Sequence, residues 1–388
     1  MFEYFPDNYP WSLTTSMLFD EVGTAAEPEE ALKPLRALAG GDRKIANEAW
    51  YEAFTVLGEK LERLGGADEA ADHPLTAGRK FHRSGLYHLR AERFLDQDDP
   101  RKLMAYRRGI ANYRHARELR RDPVDYVDIP YAGKTLPAMF VRPQGTPPWP
   151  CFVFVQGFDS LKEWFFPVVG EQFRERGVAL LVVDQPGAGG ALRLDGMAAD
   201  LETEKPVGAC IDWLEGRKDI DAARIGVMGV SLGGFYAPRA AAFEKRIAAC
   251  IAWGAIWDFG KSFHDRMVAQ RKTFDSIPDM VRQAMWVFGQ TTPEGVLDVT
   301  GRMKAAAHAG HITCPFLILH GENDRQVPVS DAEALHAAAT ASPDRTLRIV
   351  RLEEGGAEHC QTNNRTVAGD MMADWAARVL GGAPAGAF

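Results

Sequence analysis

Arg224-Ile225-Gly226-Val227-Met228-Gly229-Val230-Ser231-Leu232-Gly233-Gly234-Phe235-Tyr236 decides the reading of this chain. An apolar run with strand character ends in the motif Gly229-Val230-Ser231-Leu232-Gly233, and a helical pattern follows, with Ser231 on the turn between them. A serine on so sharp a strand-to-helix turn takes strained backbone angles. The residues two before and two after it crowd each other, so both must be small. Gly229 and Gly233 meet that requirement. The turn lifts the Ser231 hydroxyl clear of the sheet and sets it near a helix N-terminus, whose free N–H groups favour a developing oxyanion. A glycine-rich turn with an incidental serine has the same spelling. The strand before it, the helix after it and the partners downstream distinguish a nucleophile elbow.

On both sides of the elbow, strands alternate with helices. Val124 to Pro130 and Thr135 to Arg142 read as a hairpin about Ala132-Gly133-Lys134. Continuous apolar runs at Pro150 to Val155, Val178 to Asp184, Ala248 to Gly254 and Pro315 to Leu319 suit strands buried on both faces. A further strand is expected over Arg345 to Leu352, with helices over Leu161 to Arg176, Pro206 to Glu215, from Ser330, and around Met371 to Leu380. This order predicts an α/β fold with a doubly wound, mostly parallel sheet over residues 122–388, interrupted by a helical insert at 258–308.

From Trp11 to Arg121 the pattern is helical instead. Trp50, Phe54, Leu57 and Leu61 recur at helical spacing, and Asp98-Asp99-Pro100 supplies a cap and a first-turn proline. Residues 1–121 are therefore expected to form a separate helical domain. Its aromatics either pack its own core or, with Phe263, Phe274, Trp286 and Phe288 of the insert, line a lid over a substrate chamber.

Ligands of such sheets gather at the C-terminal ends of the strands, which is where partners for Ser231 are to be sought. The run Phe316 to Leu319 leads into His320-Gly321-Glu322-Asn323-Asp324, and the last strand leads into Gly355-Gly356-Ala357-Glu358-His359. The chain order Ser231, Asp324, His359 is that of an α/β-hydrolase triad. His359 would take and return the serine proton while Asp324 fixes its tautomer. Glu322 is the rival acid, and His320 reads as a structural hydrogen-bonding group at the strand end. Cys360 adjoins His359, but sequence neighbours rarely face each other, which leaves the thiol structural. An oxyanion hole is expected from the N–H groups of Leu232 and Phe158, the latter on the loop Gln156-Gly157-Phe158-Asp159-Ser160. Asp258 is a candidate substrate contact, its alternative being a helix cap; Trp257, Tyr236 and Glu163 are further candidates.

Composition bounds the remaining function classes. The chain has 388 residues, 46% hydrophobic and 25% charged, with a formal net charge of −8. That balance argues against a nucleic-acid surface or an anionic membrane and leaves a small-molecule substrate as the expected partner, with a homodimer as the candidate assembly. The opening Met-Phe-Glu-Tyr-Phe-Pro-Asp has neither a basic nor an apolar leader region, so the cytoplasm is the expected compartment. The five cysteines lack metal or disulfide spacing, and no cofactor or metal is expected.

Gly157 to Glu163, Asp184-Gln185-Pro186-Gly187, Gly229 to Gly234, Gly321 to Pro328 and Glu358-His359-Cys360-Gln361 together resemble the FrsA-like branch of the α/β-hydrolases. That branch includes the 2,6-dihydroxypseudooxynicotine hydrolases and fungal heptaketide hydrolases of pigment synthesis. The helical stretch with Trp50, Ala77, Arg83, Tyr87, Arg90, Ala91, Glu92 and Phe94 also looks like their N-terminal lid. Leu161 and Trp164 depart from the pattern, standing where polar residues are commoner. The resemblance implies a lidded serine hydrolase acting through Ser231, Asp324 and His359, in a branch with enzymes that cut C–C bonds beside a ketone. Ester, thioester or amide hydrolysis, acyl transfer, and a non-enzymatic regulatory role on the same scaffold are the alternatives.

Overall fold

In a computed structural model, residues 2–270 and 280–382 are described. The backbone separates into two compact units, Met1–Pro123 with Gln270–Gln283, and Val124–Ala269 with Ala284–Phe388.

The first unit is helical: α1 (Tyr9–Val22), α2 (Ala26–Leu35), α3 (Arg43–Ala70), α4 (Pro74–Ala91) and α5 (Pro100–Arg120). Asn8 caps α1, Asp42 caps α3 and Asp99 caps α5, each through its side-chain oxygen. Trp11, Trp50, Phe54, Tyr87 and Phe94 share one buried cluster, and the Trp50 indole N–H donates to the Arg90 carbonyl at 2.9 Å. The aromatics of this stretch thus include the core of the unit itself. Two ion pairs are also buried there, Arg90 with Glu21 and Lys102 with Glu92.

The second unit holds one eight-stranded sheet. Its strands are β1 (Val124–Tyr131), β2 (Lys134–Val141), β3 (Trp149–Val155), β4 (Ala179–Val183), β5 (Ile220–Val230), β6 (Ala249–Trp253), β7 (Phe316–Gly321) and β8 (Arg345–Val350). The spatial order is β1-β2-β4-β3-β5-β6-β7-β8. β1 and β2 are antiparallel, and β3 to β8 run parallel. The exchange of β3 and β4 is the reversal of winding expected for a doubly wound sheet. Helices α6 (Glu171–Glu175), α7 (Gly189–Arg193), α8 (Glu204–Glu215), α9 (Gly233–Phe243), α10 (Phe259–Gln270), α11 (Met280–Val287), α12 (Pro293–Gly301), α13 (Val329–Ala338) and α14 (Arg365–Leu380) complete the chain.

The continuous apolar runs are the central strands: every residue of β4, β6 and β7 is buried. One expected helix is corrected. Leu161 to Arg176 is broken into a 3-10 turn (Lys162–Trp164), a π turn (Phe166–Gly170) and the short α6, with Pro167 lying where a helix interior would need its N–H. β7 also runs on through His320 and Gly321, so His320 is a strand residue. No helix among the described residues is long and apolar enough to cross a membrane.

Candidate active site

β5 ends at Val230 and α9 begins at Gly233, so Ser231 and Leu232 alone make the turn. Ser231 has φ +55°, a left-handed backbone that L residues avoid. A Cβ on Gly229 would lie 2.0 Å from the Gly233 carbonyl oxygen, and one on Gly233 would lie 2.7 Å from the Val155 oxygen. The turn is closed by backbone contact on both sides, and only glycine fits. The Ser231 N–H donates to the Trp253 carbonyl at 2.8 Å, tying the elbow to β6.

The His359 ring joins the three residues singled out in the sequence. Its Nε2 lies 2.8 Å from Ser231 Oγ, and its Nδ1 lies 2.7 Å from Asp324 Oδ2. These distances suit Ser231 O–H donating to Nε2 and Nδ1–H donating to the carboxylate. The Asp324 side chain is fully buried. Burial alone would raise its pKa, but the charge and hydrogen bond of His359, with His320 and the Val327 N–H, bring it below the ordinary carboxylate value. The N–H groups of Gln326 and Val327 both donate to its other oxygen, at 2.8 and 2.9 Å. Burial opposes the charged form of His359, yet the adjacent Asp324 carboxylate leads the groups that raise its pKa overall.

Glu322, the rival acid, turns away to Arg351 and the Leu352 N–H. His320 Nε2–H donates to the Val327 carbonyl at 3.0 Å and lies 3.5 Å from Asp324. Cys360 corrects a simple expectation. Its Sγ lies 3.5 Å from His359 Nε2, because Cys360 and Gln361 both take left-handed φ, +47° and +48°, and the chain folds back.

The other predicted donor loop also reaches the elbow. A Cβ on Gly157 would lie 3.1 Å from Ser231 Cβ and 3.0 Å from the Val230 oxygen. The absence of that side chain lets the segment carrying Phe158 approach the nucleophile. Leu232 stands at the head of α9, where N–H groups have no partner within the helix.

The sequence profile of the prolyl oligopeptidase family matches residues 171–383, more than half of the chain. The chain belongs to the prolyl oligopeptidase family. It is 28% identical over 334 residues to a 2,6-dihydropseudooxynicotine hydrolase of Paenarthrobacter nicotinovorans, covering 85% of this chain and 84% of that one. It is 27% identical over 357 residues to the hydrolase acrC of Aspergillus aculeatus, covering 81% and 82% respectively. A crystal structure of a 2,6-dihydroxy-pseudo-oxynicotine hydrolase superposes with a TM-score of 0.72 at 28% identity, over 86% of this chain and 91% of that one. The resemblance drawn from the residues is borne out, and this member of the prolyl oligopeptidase family is a hydrolase of α/β-hydrolase fold.

The remaining candidates of this family member take varied positions. Asp258 accepts from the Lys261 N–H at 2.9 Å at the start of α10 and faces Lys304 at 3.6 Å, which is the cap geometry that its sequence position also allowed. Half-buried Trp257 donates its backbone N–H to Asp331. Tyr236 is buried in α9, and its hydroxyl has no hydrogen-bond partner among the described residues. Glu163 is fully buried 2.8 Å from Lys162 Nζ, and burial raises its pKa against the pull of that ammonium. Phe288 packs on Phe158 at 6.2 Å between ring centroids and on Phe259 at 6.2 Å, and Phe259 packs on Phe263 at 5.6 Å. Insert aromatics therefore adjoin the loop carrying Phe158, whereas Phe274 lies outside the described residues. No group of His, Cys, Asp or Glu among the described residues is arranged to hold a metal ion.

Sequence reasoning passed over the loop after β4. The side chain of Gln185 exchanges two hydrogen bonds with the Gln156 backbone, Asp184 pairs with Lys162, the Gly189 N–H donates to the Ser160 carbonyl, and Arg193 pairs with Asp159. The signal for it was the run Asp184-Gln185-Pro186-Gly187, noted only as part of a family pattern.

Proposed function

We propose that this chain is a serine hydrolase that cleaves a C–C bond beside a ketone, in an aryl ketone or polyketide-like β-dicarbonyl substrate, through an acyl-enzyme on Ser231. The observation that carries the reading is the His359 ring held between Ser231 Oγ at 2.8 Å and Asp324 at 2.7 Å. On this reading Ser231 adds to the carbonyl carbon as His359 accepts its proton, and the Leu232 and Phe158 N–H groups receive the oxyanion. Collapse of the tetrahedral adduct breaks the C–C bond, with His359 delivering its proton to the departing carbon. Water, activated by the now neutral His359, then releases the acid. The departing carbon must either leave as a stabilised enolate, which needs a second carbonyl, or be protonated as the bond breaks, which an electron-rich ring carbon favours. The likeness to a hydrolase named for 2,6-dihydropseudooxynicotine supports this class over simple esters.

Membership of the prolyl oligopeptidase family favours a second reading, hydrolysis of a bulky ester or amide by the same groups. The discriminating test is turnover of a panel of aryl ketones, β-diketones, aryl esters and arylamides, with the acyl-enzyme trapped by acid quench and located by mass spectrometry. Acylation of Ser231 from a ketone is the expected result. Ester or amide turnover with every ketone inert would select the second reading.

A further inference from the structure

The loop carrying Phe158 is tied by a buried charge pair. Asp159, immediately after the proposed donor Phe158, has φ +47° and is completely buried. A non-glycine residue in that region is strained and persists only where its surroundings hold it. Among the groups that hold it is Arg193, the last residue of α7, whose Nη1 lies 2.6 Å from Asp159 Oδ1 with 2% of its side chain exposed. Arg193 is itself seated over the Trp286 ring at 5.3 Å. The bonds of Gln185 to Gln156 and of Gly189 to Ser160 fix the loop on either side of this pair. Phe158 is thus the half-buried residue of a segment anchored before and after it.

We propose that Arg193 is a positioning residue for oxyanion stabilisation. Its ion pair with Asp159 holds the left-handed turn that aims the Phe158 N–H at the oxygen of the tetrahedral adduct. The inference rests on the serine-hydrolase reading. It adds that transition-state charge is stabilised through a charge pair that touches no substrate. Because the donor is needed when the oxyanion forms and not when substrate binds, loss of the pair should lower kcat and leave KM nearly unchanged.

The test uses the full chain with an activated aryl ester, a fluorophosphonate probe of Ser231, and a trifluoromethyl ketone that forms a tetrahedral adduct. Arg193→Met should lower kcat by about 10²-fold, the scale of one lost donor, with KM within about threefold. Its affinity for the trifluoromethyl ketone should fall in parallel with kcat/KM, and Arg193→Lys should recover part of both. Breaking a buried pair on one side can prevent folding, whereas removing both charges is better tolerated. The double variant Asp159→Asn, Arg193→Met therefore keeps the test decisive. A folded variant with unchanged kcat, or one whose kcat falls while trifluoromethyl ketone affinity holds, would overturn the inference. A wild-type enzyme that neither reacts with the fluorophosphonate nor turns over any ester would overturn the serine-hydrolase reading and this inference with it.

Discussion

At the scale of single residues, the environment of His359 sets the expected pH behaviour. A general base works in its neutral form, and the Asp324 carboxylate favours the charged one. In the proposed mechanism kcat/KM should therefore rise with pH through a midpoint above the ordinary histidine value. Asp324→Asn should lower that midpoint and cut kcat by about 10⁴-fold, because the amide no longer fixes the tautomer. Glu322→Gln, which removes a surface partner of Arg351, should leave kcat within about twofold. A pH–rate series on the three proteins checks both points, and the reverse ranking would move the orienting role to Glu322. Ser231→Ala should cost about 10⁴- to 10⁶-fold in kcat, and adding His359→Ala should cost little more, since the two act as a unit. Esterase activity surviving Ser231→Ala would remove the nucleophile assignment. That Ser231, Asp324 and His359 would be brought together was legible in sequence because each lies beyond the C-terminal end of an expected strand. The fold-back of Cys360 was not, since it depends on two successive left-handed residues that no local pattern marks.

At the scale of elements, the arrangement proposed to be catalytic depends on loops tied to one another. Glu358, 1% exposed, accepts from Asn323 Nδ2 at 2.8 Å and from Arg325 Nε at 3.2 Å. Its partners thus flank Asp324, while it adjoins His359. The bond between acid and base is thereby braced one residue away on each loop. Glu358→Ala should lower kcat by roughly tenfold to a hundredfold, an effect on the scale of a lost charge-assisted hydrogen bond. Glu358→Gln, which keeps one acceptor oxygen, should recover much of it. Steady-state kinetics beside circular dichroism would check this, and loss of folded signal in step with activity would reduce Glu358 to a stabilising residue. The strands feeding these loops were readable because a buried parallel strand needs an unbroken apolar run, as at Phe316 to Leu319. The helix expected over Leu161 to Arg176 failed because apolar spacing was allowed to outweigh Pro167. Ties such as Arg193 to Asp159 cross 34 positions of sequence, and local patterning carries no trace of which distant charge a buried carboxylate will meet.

At the scale of the whole chain, the two compact units make separate claims on stability and function. The helical unit has its own aromatic core about fully buried Trp50. Trp50→Ala opens a cavity there and removes the indole hydrogen bond to the Arg90 carbonyl, and substitutions of this kind cost about 3–5 kcal/mol. Two units with separate cores need not unfold together. Calorimetry of the full chain should therefore show the variant's loss concentrated in one transition, with the transition of the sheet-bearing unit little displaced. A single transition shifted as a whole would mean that the units unfold cooperatively. The same variant tests the lid role that the sequence suggests for residues 1–121. In the proposed mechanism a small activated ester needs only Ser231, Asp324, His359 and the backbone donors at Leu232 and Phe158, all of which lie in the other unit. Its turnover should stay within about threefold of wild type, since surroundings that exclude water and order a large substrate add little for a small one. Turnover of a bulky ketone should fall by at least about tenfold. Equal retention on both substrates would assign the N-terminal helices a structural role alone. Equal loss on both would mean that the catalytic groups themselves depend on them.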